Sequence, residues 1–143
     1  VSYGIKYTGS IPSLDGNVYT AEILEDGFVG ASTSITLAGK GLIVRWGQQN
    51  SDKDVPILPS SAEVQILDPS DAVIAALAVA HDEKYRLRIK KGASTYWIGK
   101  VLTNQYEASL DLRPRSQKLN AVDALGQLQN LDFTLTSRDT VVK

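Results

Sequence analysis

Seven residues in the middle of the chain, Lys84-Tyr85-Arg86-Leu87-Arg88-Ile89-Lys90, alternate charged and apolar side chains without a fault. Period two puts Tyr85, Leu87 and Ile89 on one face of an extended chain and the four cations on the other. A helix of 3.6-residue period cannot gather either set on one side. The segment therefore predicts a strand with one face on a core. Residues 91–94 supply Gly92 for a turn, and residues 95–102 return with β-branched and aromatic side chains around Trp97. Residues 84–102 thus read as a long hairpin around which the domain is organised.

Similar reasoning finds further strands. Short β-prone runs at residues 3–8, 18–24 and 32–37 are broken at Asp15-Gly16-Asn17 and Glu25-Asp26-Gly27. Residues 42–46 form another strand, and the polar stretch 48–54 before Pro56 and Pro59 forms a loop. In residues 62–67, Val64 and Ile66 alternate with Glu63 and Gln65, which again buries one face. Residues 109–113 and 117–122 pair across Arg113-Pro114-Arg115-Ser116, with Leu110, Leu112, Leu119 and Ala121 facing inward. Residues 131–136 make a last strand before a polar tail, 137–143.

Two short helices interrupt this pattern. Asp68 caps the first, Pro69 suits its opening turn, Asp71 favours the positive end of the dipole, and the Ala-rich run 72–80 plugs or covers the sheet, a helix in preference to the alternative of a buried strand. Asp123 caps the second, through Leu128. No internal repeat or low-complexity stretch is present.

Composition narrows the classes of function. A chain of 143 residues with 43% hydrophobic and 22% charged residues suits one globular core, residues 1–136. Fifteen basic and sixteen acidic side chains leave a net charge of -1, so no global field holds it to nucleic acid or an anionic membrane. The longest apolar run, 72–80, falls short of the ~20 residues of a membrane helix. Residues 1–16 lack the basic start and apolar stretch of a secretory signal. The chain has no Met and starts at Val1, which points either to a processed N-terminus or, in preference, to a piece of a larger protein.

The chemistry-bearing residues are sparse. With no Cys there is no disulfide, thiolate nucleophile or thiolate zinc site, and the single His81, beside Asp82 and Glu83, reads as a polar cap between helix and strand. Ser51-Asp52-Lys53-Asp54 does not fit a calcium loop, and Gly39-Lys40 fails as a phosphate loop because Ser34 stands where its first glycine belongs. The reading is a protein that is not an enzyme, with no cofactor and no metal. The basic stripe Lys84, Arg86, Arg88 and Lys90 has the clearest functional edge, for a protein partner in preference to nucleic acid, or as a solvated face matched by acids on flanking strands. Gln48, Asp52 and Asp54 in the polar loop join it as candidate contacts. Trp46, Trp97 and Tyr96 offer a stacking platform if exposed.

The order of several pieces carries a resemblance. Tyr19-Thr20-Ala21-Glu22-Ile23-Leu24-Glu25-Asp26-Gly27-Phe28 leads to Val44-Arg45-Trp46-Gly47, Glu63-Val64-Gln65-Ile66-Leu67 and the strand from Asp82 to Ile89 with Gly92. Tyr96-Trp97-Ile98-Gly99-Lys100-Val101 and Asn120-Ala121-Val122-Asp123-Ala124-Leu125-Gly126-Gln127-Leu128 follow. This order resembles the N-terminal region of tail-hub (baseplate hub-like) proteins of phages and prophages, over most of the chain. The resemblance implies a small β-barrel without catalytic residues that assembles as a ring, commonly a homotrimer, joining the tail tube to the tip or baseplate of the virion. Such hubs are usually longer than this chain.

The expected fold class is therefore mainly β: a small β-barrel or sandwich-like antiparallel domain with one or two short helices. The expected function is a structural module of a phage tail hub or tail tip, made in the bacterial host cytoplasm and placed in the virion tail. The alternative is a glycan- or ligand-binding β-module that uses exposed Trp and Tyr.

Overall fold

A computed structural model describes residues 2–47, 59–78, 84–108 and 114–125, the side chains of 103–108 excepted. The domain is mainly β. Its strands are β1 (Tyr3–Pro12), β2 (Val18–Asp26), β3 (Thr33–Ser34), β4 (Thr36–Trp46), β5 (Ser60–Leu67), β6 (Tyr85–Lys91), β7 (Ser94–Ala108) and β8 (Ser116–Val122), with one helix, α1 (Asp71–Leu77), between β5 and β6. All eight strands belong to one sheet, in the order β3-β1-β2-β6-β7-β8-β5-β4.

The alternation read from the sequence sets the core. In β6, Tyr85, Leu87 and Ile89 are buried, while β5 contributes Ala62, Val64 and Ile66, and β8 contributes Leu119 and Ala121. With Ala21 and Ile23 of β2 and Trp97 and Val101 of β7 they form a single buried cluster, joined by Val73 and Leu77 of α1. The expectation that the helix lies against the sheet holds, and the Tyr85 hydroxyl donates to the Ala76 carbonyl at 2.8 Å.

The hairpin β6–β7 turns at Gly92-Ala93, between the paired Lys91 and Ser94. Gly92 has φ 58 and Ala93 does not share the positive sign. A two-residue turn of that kind needs a residue free to enter the left-handed region at its first position.

The structure corrects several expectations. The sheet is neither closed into a barrel nor split into a sandwich, and it is mixed, because β3 pairs in parallel with β1. The chain leaves the edge of β1 at Ser34, passes Ile35, and joins the edge of β5 from Thr36 onward. One residue thus links the two ends of a curled sheet, and among the described residues nothing pairs with the outer edge of β4. The runs 32–37 and 42–46 are continuous in β3 and β4, interrupted by a register shift between Leu37 and Leu42. Strand β7 runs on to Ala108, and β8 pairs with it and with β5.

The helix is also shorter than read and differently capped. Ser70, whose hydroxyl accepts from the Val73 N–H, is its N-cap. Asp68 instead has φ 44, and its N–H donates to the Arg115 carbonyl at 2.6 Å, which fixes the turn leading out of β5. Asp71 does stand in the first turn, where it also meets Arg115 at 2.9 Å. Of the second predicted helix, Ala124 and Leu125 are helical and the rest lies outside the described residues, as do the strands read at 109–113 and 131–136. Among the described residues no helix is long and apolar enough to cross a membrane.

Candidate functional site

The basic stripe lies on the face of β6 away from the core, and its register against β2 decides what it can do. Arg88 stands opposite Glu22 and bonds it through Nε at 2.5 Å; Lys90 approaches the same carboxylate at 3.9 Å. Lys84, in the turn before β6, reaches Glu25 at 3.1 Å. Arg86 lies over the Tyr3 ring, 4.2 Å from its centroid. The stripe is thus compensated within the domain, by two glutamates and an aromatic face. Gln48, Asp52, Asp54 and His81 lie outside the described residues.

A second charged cluster was invisible in the sequence because a bulge creates it. The β1–β2 register shifts between Ile5 and Tyr7, which leaves Lys6 as the extra residue. Both Lys6 and Tyr7 then turn toward Tyr85 at the edge of the core. The Lys6 ammonium sits 2.6 Å from Glu25 and 5.6 to 5.9 Å from the ring centroids of Tyr85, Tyr7 and Phe28. Burial works against the charge on Lys6, but its bond to Glu25 and its interactions with Tyr85 and Tyr7 together outweigh this and hold its pKa above the ordinary value. Burial likewise opposes the Glu25 carboxylate, and the bonds from Lys6 and Lys84 overcome it, so Glu25 titrates below its ordinary range. Tyr7 is raised, chiefly by burial.

At the opposite end of the strands the side chains are aromatic and exposed. Trp46, the last residue of β4, is 64% exposed and Tyr96 of β7 47%. Their rings pack edge to face at 6.4 Å, and Tyr96 packs likewise on Tyr19 of β2 at 6.1 Å. Tyr96 is the extra residue of a second bulge, where the β6–β7 register shifts between Ile89 and Lys90. Tyr19 was missed in the sequence because only the strand order brings β2 and β7 to either side of β6.

Trp97 does not share this surface. It is 4% exposed, and its indole Nε1–H donates to the Ser60 hydroxyl at 2.9 Å. Ser60 in turn gives its O–H and its N–H to one oxygen of Asp123, at 2.6 and 2.8 Å. Trp97 therefore leaves the candidate platform and belongs to the core. Asp123, read as a helix cap, ties the end of β8 to the start of β5.

Beside the exposed rings runs a groove of about 450 Å³. Ile11, Pro12 and the turn after β1 form one wall and residues 39–42 of β4 the other, over a floor that includes Tyr19, Ile89 and Tyr96. Among the described residues no group of three or more His, Cys, Asp or Glu could hold a metal ion. Comparison with known protein families, curated proteins and solved structures finds no match to this chain.

Proposed function

We propose that this domain is a structural assembly module of a phage or prophage tail hub or tail tip. It packs into a ring, as a homotrimer in the longer protein, that joins the tail tube to the tip or baseplate of the virion. The observation that carries this reading is the collection of exposed apolar side chains at one end of the sheet. Leu14 lies in the β1–β2 turn, Val18 opens β2, Trp46 ends β4, Tyr96 follows the β6–β7 turn and Leu125 follows β8; all are exposed. A rim of that kind is a surface for packing on another protein.

The compensated stripe also favours protein contacts over nucleic acid, since Glu22 and Glu25 already take up most of its field. Light scattering on the longer protein tests the ring: a homotrimer is expected, and replacing Trp46 and Tyr96 by Glu should reduce it to monomers. A monomer in every solution condition, with flanking sequence present, overturns the proposal.

The second reading, a glycan- or ligand-binding module, is favoured by the exposure of Trp46 and Tyr96 beside the groove. Tryptophan fluorescence separates the two. Soluble sugars that shift the emission and protect Trp46 from quencher support binding, and emission indifferent to sugars removes it.

A further inference from the structure

Among the described residues, Arg86 is the member of the basic stripe that meets no glutamate. Arg88 and Lys90 share Glu22, and Lys84 reaches Glu25. Arg86 is exposed and lies instead over the Tyr3 ring. A guanidinium held against a ring keeps its fork of N–H donors for another acceptor.

The strand register builds a wider basic field around it. Alternation turns Arg86, Arg88 and Lys90 away from the core, and the β6–β7 register sets Lys100 directly opposite Arg86 and Ile98 opposite Arg88. Lys118 of β8 and Arg45 of β4 stand on the same outward face. Among the described residues the carboxylates on that face are Glu22, opposite Arg88, Asp26 at the end of β2, and Glu63, which Arg45 and Lys118 share at 3.4 and 3.5 Å. Cations thus outnumber acids on this face, although the chain as a whole has a net charge of -1. A local excess of one sign steers and selects partners of the other.

We propose that Arg86 and Lys100 form a carboxylate-recognition point for an acidic segment of another protein. Arg86 supplies the planar fork that takes both oxygens of a Glu or Asp side chain, and Lys100 brings a point charge from the neighbouring strand. Ile98, 48% exposed in the next row, favours a polypeptide over a phosphate backbone, because a protein segment can cover it while its acids meet the cations. The inference does not depend on the tail-hub reading, since it concerns what this face recognises.

Fluorescence anisotropy of a labelled peptide of alternating Glu and Thr, with the full chain at low salt, tests it. Binding is expected, and added salt should weaken it. Arg86→Gln should weaken it about tenfold or more, the loss of a charge-assisted bidentate contact. Arg86→Lys should recover only part of that loss, because the charge returns without the fork. Lys100→Gln should act in the same direction as Arg86→Gln, while Lys40→Gln, which removes the same charge from the groove wall, should leave the affinity unchanged. No binding to the unaltered chain overturns the proposal. So does an equal loss in Arg86→Gln and Lys40→Gln, which would make net charge the cause. Tighter binding of single-stranded DNA of the same charge also overturns it, by making the face a nucleic-acid surface.

Discussion

Trp97 and Ser60 are 37 positions apart and meet in the core, where the indole donates to the serine hydroxyl at 2.9 Å. The hydroxyl passes its own proton bond to Asp123 at 2.6 Å, so one small side chain connects three strands. Ser60→Ala strands a buried indole N–H and deprives the carboxylate of a donor. It should lower stability by about 1–3 kcal/mol, the cost of leaving such groups unpaired. Urea unfolding followed by Trp fluorescence measures this; Ser60→Thr, which keeps the hydroxyl, should avoid much of the loss, and an unchanged midpoint in the alanine variant would refute the role.

Gly99 explains the aromatic-x-Gly spacing of β7. A Cβ there would overlap the Trp97 ring and the Val122 carbonyl. Gly99→Ala should therefore cost about 1–3 kcal/mol by overpacking. A Trp97→Phe background removes the ring clash and leaves that with the Val122 carbonyl, so the two substitutions should be partly non-additive, as a double-mutant cycle of thermal unfolding would report.

The Lys6–Glu25 pair gives the fold a pH profile with two limits. Glu25 titrates below its ordinary value of 4.5 in the folded chain. Between the two values the unfolded chain holds a proton that the folded chain does not, so acid favours unfolding there. Lys6, raised above 10.5, adds stability that is complete below that value and disappears as pH rises through its folded pKa. The stability difference between the natural chain and Glu25→Gln should be greatest near neutrality and shrink in acid and in strong base. Denaturant titrations across pH give the comparison, and a difference that grows in acid contradicts the pairing.

Gln117 occupies an inward position of β8 opposite the buried Ile66, and among the described residues neither its amide nitrogen nor its oxygen has a hydrogen-bond partner. Replacing an unpaired buried amide with an apolar side chain of similar shape removes a desolvation cost. Gln117→Met should raise stability by about 1–2 kcal/mol in urea unfolding. A decrease would mean that the amide does find a partner in solution.

Period-two patterning made β5, β6 and β8 legible, because each buries one face and a slip of one residue would expose Val64, Leu87 or Leu119. The strand order was not legible. Pairing of β2 with β6 and of β5 with β8 joins segments whose sequences carry no mark of each other, and it alone brings Glu22 to Arg88 and Tyr19 to Tyr96. The bulges at Lys6 and Tyr96 escaped for a related reason, since an extra residue is defined only against a partner strand. Asp68 misled because Asp serves both helix caps and left-handed turns, and the turn to Arg115 won. The exposure of Trp46 and burial of Trp97, both in β-prone runs, were set by which face the neighbours cover.

The bond between Arg88 and Glu22 spans 66 positions. A ribosome adding about 5–20 residues per second therefore needs roughly 3 to 13 seconds to deliver β6 after β2 has emerged. During that interval the β1–β2 hairpin waits with Ala21 and Ile23 uncovered and an open edge beside them. The most vulnerable moment in the life of this domain thus falls during its own synthesis, and slowing translation before Lys84 should lengthen the exposure and increase aggregation of the nascent chain.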